Sequence, residues 1–109
     1  MASKAKILVV DHDIDSLSKI YLNLLHRNYK VEVCNNGTEV LDRLKRLKPS
    51  ILIIHHKMYW EIEKKLKIPA IVLVDGFPGV HINEQEDLKV ISKPIKTDLL
   101  INAVERLTI

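Results

Sequence analysis

The stretch KILVVDHD, residues 6–13, is the part of the sequence that indicates the fold most directly. It begins with a short apolar run that ends at Val10, and the polar residues Asp11, His12 and Asp13 follow immediately. A continuous apolar run of this length is typical of a strand that is covered on both faces, as in a parallel sheet. We therefore predict a buried strand over residues 6–10 that leads into a polar loop.

The same pattern recurs along the chain. Further apolar runs predict strands over residues 31–34, 51–54, 70–74 and 88–91. Asp13 or Asp15 is expected to cap the first helix, and Asn28 is expected to adopt a left-handed conformation after that helix. Pro49 is expected to end the second helix. Apolar residues at helical spacing predict four helices, with the stripes Leu17, Ile20, Tyr21, Leu24 and Leu25; Val40, Leu41, Leu44 and Leu47; Tyr59, Ile62 and Leu66; and Leu100, Ala103, Val104 and Leu107.

Five strands that alternate with helices predict an α/β domain with a parallel sheet. The working site of such a sheet lies beyond the carboxyl ends of its strands. The residues expected there are Asp11–Asp13, His55–His56, Val74–Asp75 and Lys93.

Length and composition exclude several classes of protein. A chain of 109 residues, 47% of them hydrophobic, fits one globular domain, which we place at residues 1–109. The single cysteine, Cys34, cannot form an internal disulfide, and it is expected to be an inert core thiol in a cytoplasmic protein. The longest aliphatic run, Ala70–Val74, is too short to cross a membrane, and three glycines leave no glycine-rich nucleotide loop.

The positive charge is concentrated in one part of the chain. Eight basic and two acidic residues lie between Arg43 and Lys67, whereas the whole chain has a net charge of +3. These lysines are either a solvated face or a surface for an acidic partner. Nucleic-acid binding is not expected, because only 5% of the residues are aromatic and base stacking requires aromatic side chains.

The ordered motifs along the chain are similar to those of the response-regulator receiver domains, the CheY-like family. The resemblance covers nearly the whole length and rests on KILVVDHD (6–13), the pair Asn36-Gly37 before the second helix, PSILIIH (49–55), IPAIVLV (68–74) and SKPI (92–95). It implies a flavodoxin-like, doubly wound five-stranded parallel sheet in the order 2-1-3-4-5. It also implies a cis bond before Pro94.

The resemblance implies a phosphorylation pocket, and this chain departs from it at three positions. The family's phosphoacceptor aspartate falls on His55, its second acidic position on His12, and its hydroxyl position on Val74. Only Asp11 and Lys93 are retained. We therefore expect the magnesium site, and with it aspartyl phosphorylation, to be lost, and no cofactor to be used.

The elements that relay phosphorylation in the family are also altered. The switch positions fall on Val74 and Val90, which have neither a hydroxyl group nor an aromatic ring. The 14 residues between His55 and Ala70 leave room only for a shortened third helix. The fourth helix is expected to be reduced or replaced by the loop 75–87, where Gly76, Pro78 and Gly79 break any helical stripe.

These departures predict a pseudo-receiver that is not an enzyme and binds a protein partner in a signalling pathway independently of phosphorylation. Trp60 and Phe77 are candidate partner contacts. The partner, the pathway, the oligomeric state and any output domain in a longer gene product stay open.

Two alternatives for the altered pocket remain. His12 and His55 could hold a metal or small ligand as a sensor, or titrate near neutrality as a pH sensor. In the simpler interpretation, the histidines fill a vacated polar pocket and pair with Asp11. Asp11 and Lys93 are then a structural ion pair without a catalytic role. Phosphorylation of His55 itself is not expected, because the sequence indicates no neighbouring group that would activate it.

Overall fold

The computed structural model describes residues 5–76 and 82–108. Its five strands are parallel and lie in the order β2-β1-β3-β4-β5, as the resemblance implied. Their bounds are β1 Lys6–Val10, β2 Lys30–Cys34, β3 Ile51–His55, β4 Ala70–Val74 and β5 Leu88–Ser92. The apolar runs located each strand to within one residue at either end.

Four helices connect and flank the strands: α1 Ile14–Leu25, α2 Val40–Leu47, α3 His56–Ile62 and α4 Thr97–Leu107. Asp13, not Asp15, caps α1, because its side chain accepts a hydrogen bond from the backbone N–H of Asp15. Lys48 ends α2 in the left-handed region with φ 48°, and Asn28 has φ 69°. Cys34 is buried, and its thiol donates to the carbonyl of Asn36.

The third helix is short, as predicted, but it ends earlier than its apolar stripe suggested. After Ile62 the chain forms one 3-10 turn, Glu63–Lys65, and Leu66 is already extended. Leu66 packs against the core from this extended segment, so its apolar character does not depend on a helix.

Alternate strand residues point to opposite faces of the sheet and build two cores. On one face Ile7, Ile53 and Leu73 pack with residues of α1 and α4. On the other face Leu8, Ile54 and Val72 pack with residues of α2 and α3. Because helices cover both faces, the central strands β1, β3 and β4 are almost entirely apolar and buried.

No helix lies between β4 and β5 in the residues described there, 75–76 and 82–87. For these residues, this agrees with the prediction that the fourth helix of the family is reduced or replaced by a loop. The Lys93–Pro94 peptide bond is cis, as the resemblance implied. Within the described part of the chain, no helix is long and apolar enough to cross a membrane.

Candidate functional site

The carboxyl ends of four strands meet at one edge of the sheet and place the polar residues there. Asp11 follows β1, His55 ends β3, Asp75 follows β4 and Lys93 follows β5. The register pairs His55 with Leu73 and Val74 with Ser92, so these strands end nearly level with one another. The site predicted from the strand ends is therefore assembled by the sheet itself.

Asp11 and Lys93 form a buried ion pair. The Nζ atom of Lys93 lies 2.7 Å from Oδ2 of Asp11, whose side chain is fully buried, while 17% of the Lys93 side chain is exposed. The other carboxylate oxygen of Asp11 accepts from the backbone N–H of Asp13 at 3.0 Å. The expected pairing is present, and both oxygens of Asp11 are engaged within the protein.

Asp13 is likewise engaged. Its Oδ1 accepts from the backbone N–H of Asp15 and its Oδ2 from the hydroxyl of Ser16. The hydrogen bond from Ser16 lowers the pKa of Asp13, and the positive charge of Lys93 acts in the same direction. This carboxylate is the cap of α1.

His55 is fully buried at the end of β3 and is held at both ring nitrogens. Its Nδ1 accepts from the backbone N–H of Lys57 at 3.3 Å, and its Nε2 lies 3.0 Å from Oδ1 of Asp75. Since Nδ1 accepts, the proton of the neutral ring sits on Nε2 and is donated to Asp75. Burial lowers the pKa of His55, and the hydrogen bond to Asp75 opposes this only in part. The same hydrogen bond lowers the pKa of Asp75.

His56 is buried beside His55 but lacks comparable partners. Its ring is tilted against that of His55 with 4.3 Å between the centroids. Neither of its ring nitrogens has a hydrogen-bond partner, and its Nε2 faces Oδ2 of Asp75 at 3.6 Å. A buried imidazole without a partner is unusual, because native proteins satisfy most buried polar groups.

His12 lies beside His55, as the strand ends predicted, but it is largely exposed and outside the cluster of potential metal ligands. Its side chain is 56% exposed, its Nδ1 lies 3.5 Å from Asp11, and its ring meets that of His55 edge-on. In the described residues, the group of side chains that could hold a metal consists of His55, His56 and Asp75, with ligand atoms within 4.8 Å of one another. The structure thus pairs His55 with His56 and Asp75, where the sequence suggested His12.

Asp75 is the residue that the sequence analysis undervalued. It stood among the residues at the strand ends but was given no role, because its side-chain direction after β4 could not be inferred. The sequence indicated no polar partner for His55, whereas in the structure the carboxylate of Asp75 contacts its Nε2. The signal available in the sequence was an aspartate directly after a buried strand.

The remaining predicted positions are spread over the molecule. Val74 is buried in the core on the α2 and α3 side, and Val90 packs against the same core. Trp60 is 48% exposed and Tyr59 is buried next to it, so the aromatic pair divides as proposed between surface and core. Phe77 lies outside the described residues.

The basic part of the chain builds a groove at the opposite edge of the sheet, where α2 ends and β3 and β4 begin. The groove has a volume of about 410 Å³, and of the described residues that line it none is acidic. Its lining combines apolar side chains with four lysines: Leu41, Leu44, Pro49, Leu66 and Ile68, with Lys45, Lys48, Lys65 and Lys67. We call this feature the lysine groove.

Solved structures of receiver domains share this fold. The signal receiver domain of a response regulator from Bermanella marisrubri is 21% identical, with a TM-score of 0.79 over 96% of this chain and 98% of that chain. The signal receiver domain of an HD domain-containing protein from Pseudomonas fluorescens Pf-5 is also 21% identical, with a TM-score of 0.79 over 95% of this chain and 94% of that one.

A response regulator receiver domain protein from Bacillus halodurans is 16% identical, with a TM-score of 0.71 over 94% of this chain and 96% of that chain. No protein-family model matches the sequence, and no curated protein matches it significantly. The chain therefore has the CheY-like receiver fold.

Proposed function

We propose that this chain is a response-regulator-like domain that works in signal transduction without aspartyl phosphorylation, by binding a protein partner in the cytoplasm. The observation that carries the proposal is His55, which occupies the end of β3 where a receiver domain needs its aspartate. An imidazole cannot form the acyl phosphate of that chemistry. We propose no turnover for the site.

The residues at the strand ends do not fit the magnesium ion that the receiver fold implies. Mg²⁺ needs oxygen ligands in a nearly octahedral array. Both oxygens of Asp11 are engaged by Lys93 and by the Asp13 N–H, and both oxygens of Asp13 cap α1. His55 and His12 present nitrogens instead. We therefore derive no step through magnesium.

The relay that would carry a phosphorylation signal is also missing in this proposal. Val74 is buried in the core and Val90 packs against it. Neither has a hydroxyl group that could bind a phosphoryl oxygen or an aromatic ring that could rotate. A domain without acceptor and relay must be regulated by the binding event itself or by its abundance.

For the partner we propose a protein segment that is both acidic and apolar, docking in the lysine groove. Four lysines with no lining acid attract negative charge, and the floor of Leu41, Leu44 and Leu66 offers apolar surface to be buried. A nucleic acid fits this groove less well, because none of its described lining residues is an aromatic on which a base could stack.

Phosphorylation is tested with a small-molecule phosphodonor. The full chain is incubated with acetyl phosphate and Mg²⁺, beside a receiver domain that carries the aspartate, and both are examined by intact mass spectrometry at neutral pH. We expect the mass of this chain to stay unchanged while the control gains a phosphoryl group. A stoichiometric adduct that His55→Gln abolishes would mean that His55 is an acceptor and would overturn the proposal.

A further inference from the structure

We propose that His55, His56 and Asp75 form a binding site for a divalent first-row transition metal ion, with Zn²⁺ as the most suitable representative. This site goes beyond the function proposed above and does not depend on it. The sequence had suggested His12 as the partner of His55, and the geometry assigns that role to His56 and Asp75 instead.

The three side chains are already close to the spacing of a metal site. Their ligand atoms lie within 4.8 Å of one another, with 3.0 Å from His55 to Asp75 and 3.6 Å from His56 to Asp75. Ligands at about 2.0–2.2 Å from a tetrahedral zinc ion lie roughly 3.3–3.5 Å apart. Small movements of the side chains are therefore sufficient to admit the ion.

The unsatisfied ring of His56 is the independent observation that points to a ligand. Its side chain is 91% buried, since 9% is exposed, and neither nitrogen has a hydrogen-bond partner. A metal ion between His56 and Asp75 would give one of these nitrogens a partner. A bound metal ion would thereby explain why the imidazole of His56 is buried without a hydrogen-bond partner.

The donor set selects the class of metal. Two imidazole nitrogens and one carboxylate suit Zn²⁺, Ni²⁺, Co²⁺ or Cu²⁺, whereas Mg²⁺ and Ca²⁺ prefer oxygen alone. The side chain of Asp75 is 48% exposed, so an ion can enter from solvent and keep a water molecule as a further ligand. The site is therefore open to solvent on the side of Asp75.

Binding through Nε2 of His55 has one structural consequence. The proton that Nε2 now donates to Asp75 must move to Nδ1. The ring then stays neutral, and Nε2 has a free lone pair for the metal ion. The backbone N–H of Lys57 then loses its acceptor, because Nδ1 becomes a donor. Metal binding is therefore expected to change the tautomer of His55 and to shift the Lys57 amide.

The test is a calorimetric titration of the full chain, stripped of metals with a chelator, with ZnCl₂ and separately with MgCl₂. We expect one Zn²⁺ per chain and no saturable binding of Mg²⁺. The variants Asp75→Asn and His56→Ala are each expected to weaken Zn²⁺ binding by roughly 10-fold or more, because even the loss of a residue that only supports a metal ligand costs about that much affinity. His12→Ala and His26→Ala are the controls and are expected to bind as the unmodified chain does.

Nitrogen NMR of the imidazole rings supplies the second measurement. We expect Zn²⁺ to shift the ring nitrogens of His55 and His56 and the amide of Lys57, and to leave His26 unchanged. Asp75→Asn is expected to fold, because the position is half-exposed and the amide keeps an oxygen that accepts from His55. This variant therefore tests the metal site even if His56→Ala does not fold. Absence of saturable Zn²⁺ binding, binding that Asp75→Asn does not weaken, or binding lost in His12→Ala would each overturn the proposal.

Discussion

Asp11 carries its negative charge where water does not reach, and Lys93 supplies the positive charge beside it. In a domain that binds magnesium this carboxylate would face the ion, but here it faces the ammonium group. Removing one member of a buried pair leaves the other unpaired, and the cost of that exceeds the net value of the pair itself. The pair is thus a structural element of the strand ends.

The substitution Lys93→Met tests this role. It leaves the Asp11 charge buried without its partner, and we expect it to lower the free energy of unfolding by about 3 kcal/mol. Urea denaturation followed by circular dichroism measures the change. The double variant Asp11→Ala/Lys93→Met is expected to lose less than the single one, because no charge stays buried. A loss for Lys93→Met no larger than that of an exposed control, Lys19→Met, would contradict the buried pair.

His55 makes the stability of the fold depend on pH. Burial lowers its pKa below the ordinary value of 6.5, so the folded state binds fewer protons than the unfolded state. The resulting stability is fully present above pH 6.5 and is lost as the pH falls from there through the folded pKa. The lowered pKa values of Asp75 and Asp13 act in the same direction, but below their ordinary value of 3.8.

We expect the free energy of unfolding to fall between pH 7.5 and pH 5 with a slope of at most about 1.4 kcal/mol per pH unit for this one proton. Urea denaturation at several pH values measures it. His55→Gln is expected to flatten the profile, while the exposed control His26→Ala keeps it. A stability that is constant or rises towards pH 5 would show that His55 is not buried as a neutral ring.

The elements that carry these residues are held in place by close backbone contacts as well as by apolar packing. Gly76 follows β4, and a side chain at this position would collide with the backbone carbonyl of Lys93 at the end of β5. Gly37 precedes α2, and a side chain there would meet side-chain atoms and no backbone, namely the carboxylate of Glu61 at 3.1 Å and Cγ of Met58 at 3.3 Å. Substitution of Gly37 is therefore a suitable control for substitution of Gly76.

We expect Gly76→Ala to lower the free energy of unfolding by about 2 kcal/mol, because the backbone must move to admit the methyl group. Gly37→Ala is expected to cost less, about 0.5 kcal/mol, since side chains and not the backbone would have to move by a few tenths of an ångström. Thermal or urea denaturation compares the two variants. Equal losses would contradict the close approach of the β4 end to the β5 end.

The strands were the most predictable elements, because a buried strand in a parallel sheet needs a short apolar run and little else. The end of α3 was not predictable, since the apolar residue Leu66 satisfies a helical stripe and an extended segment equally well. In the site, Asp11 and Lys93 were predictable from their place after a strand. The side chain of His12 points outward and that of Asp75 points towards the histidines. Both directions depend on loop conformations, which the periodicity of apolar residues does not encode.

At the scale of the whole molecule, the two ends of the sheet differ in chemistry. The carboxyl edge holds the histidines and carboxylates, and the amino edge holds the lysine groove. Four of the eight basic residues between Arg43 and Lys67 are thereby located on one surface. The altered pocket and the charged groove at the far end of the fold are the two features on which the proposed binding role rests.

Binding at the lysine groove is expected to depend on charge. A synthetic acidic amphipathic peptide, followed by fluorescence anisotropy, should bind more weakly as salt is raised, because exposed charges are screened. The variant Lys45→Glu/Lys65→Glu is expected to weaken binding by about 10-fold, since each exposed ion pair contributes about 0.2–1 kcal/mol and reversal adds repulsion. Lys19→Glu/Lys96→Glu, which changes the net charge equally outside the groove, is the control.

Two results would contradict the groove as a protein-docking surface. One is equal weakening by both double variants, which would mean that only the net charge matters. The other is a single-stranded oligonucleotide that binds more tightly than the peptide, displaces it and is weakened by Lys45→Glu/Lys65→Glu. Either result would mean that the lysine groove is not a protein-docking surface, and neither bears on whether His55 is phosphorylated.

We propose that the strand ends of this receiver fold do not form a phosphorylation pocket. The most direct measurement is an amide NMR titration of the full chain with beryllofluoride and Mg²⁺, which together mimic a phosphoryl group on an aspartate. We predict that the amides around Asp11, His55, Val74 and Lys93 do not shift, while a receiver domain with its aspartate does respond. Saturable shifts centred on these residues would contradict the claim.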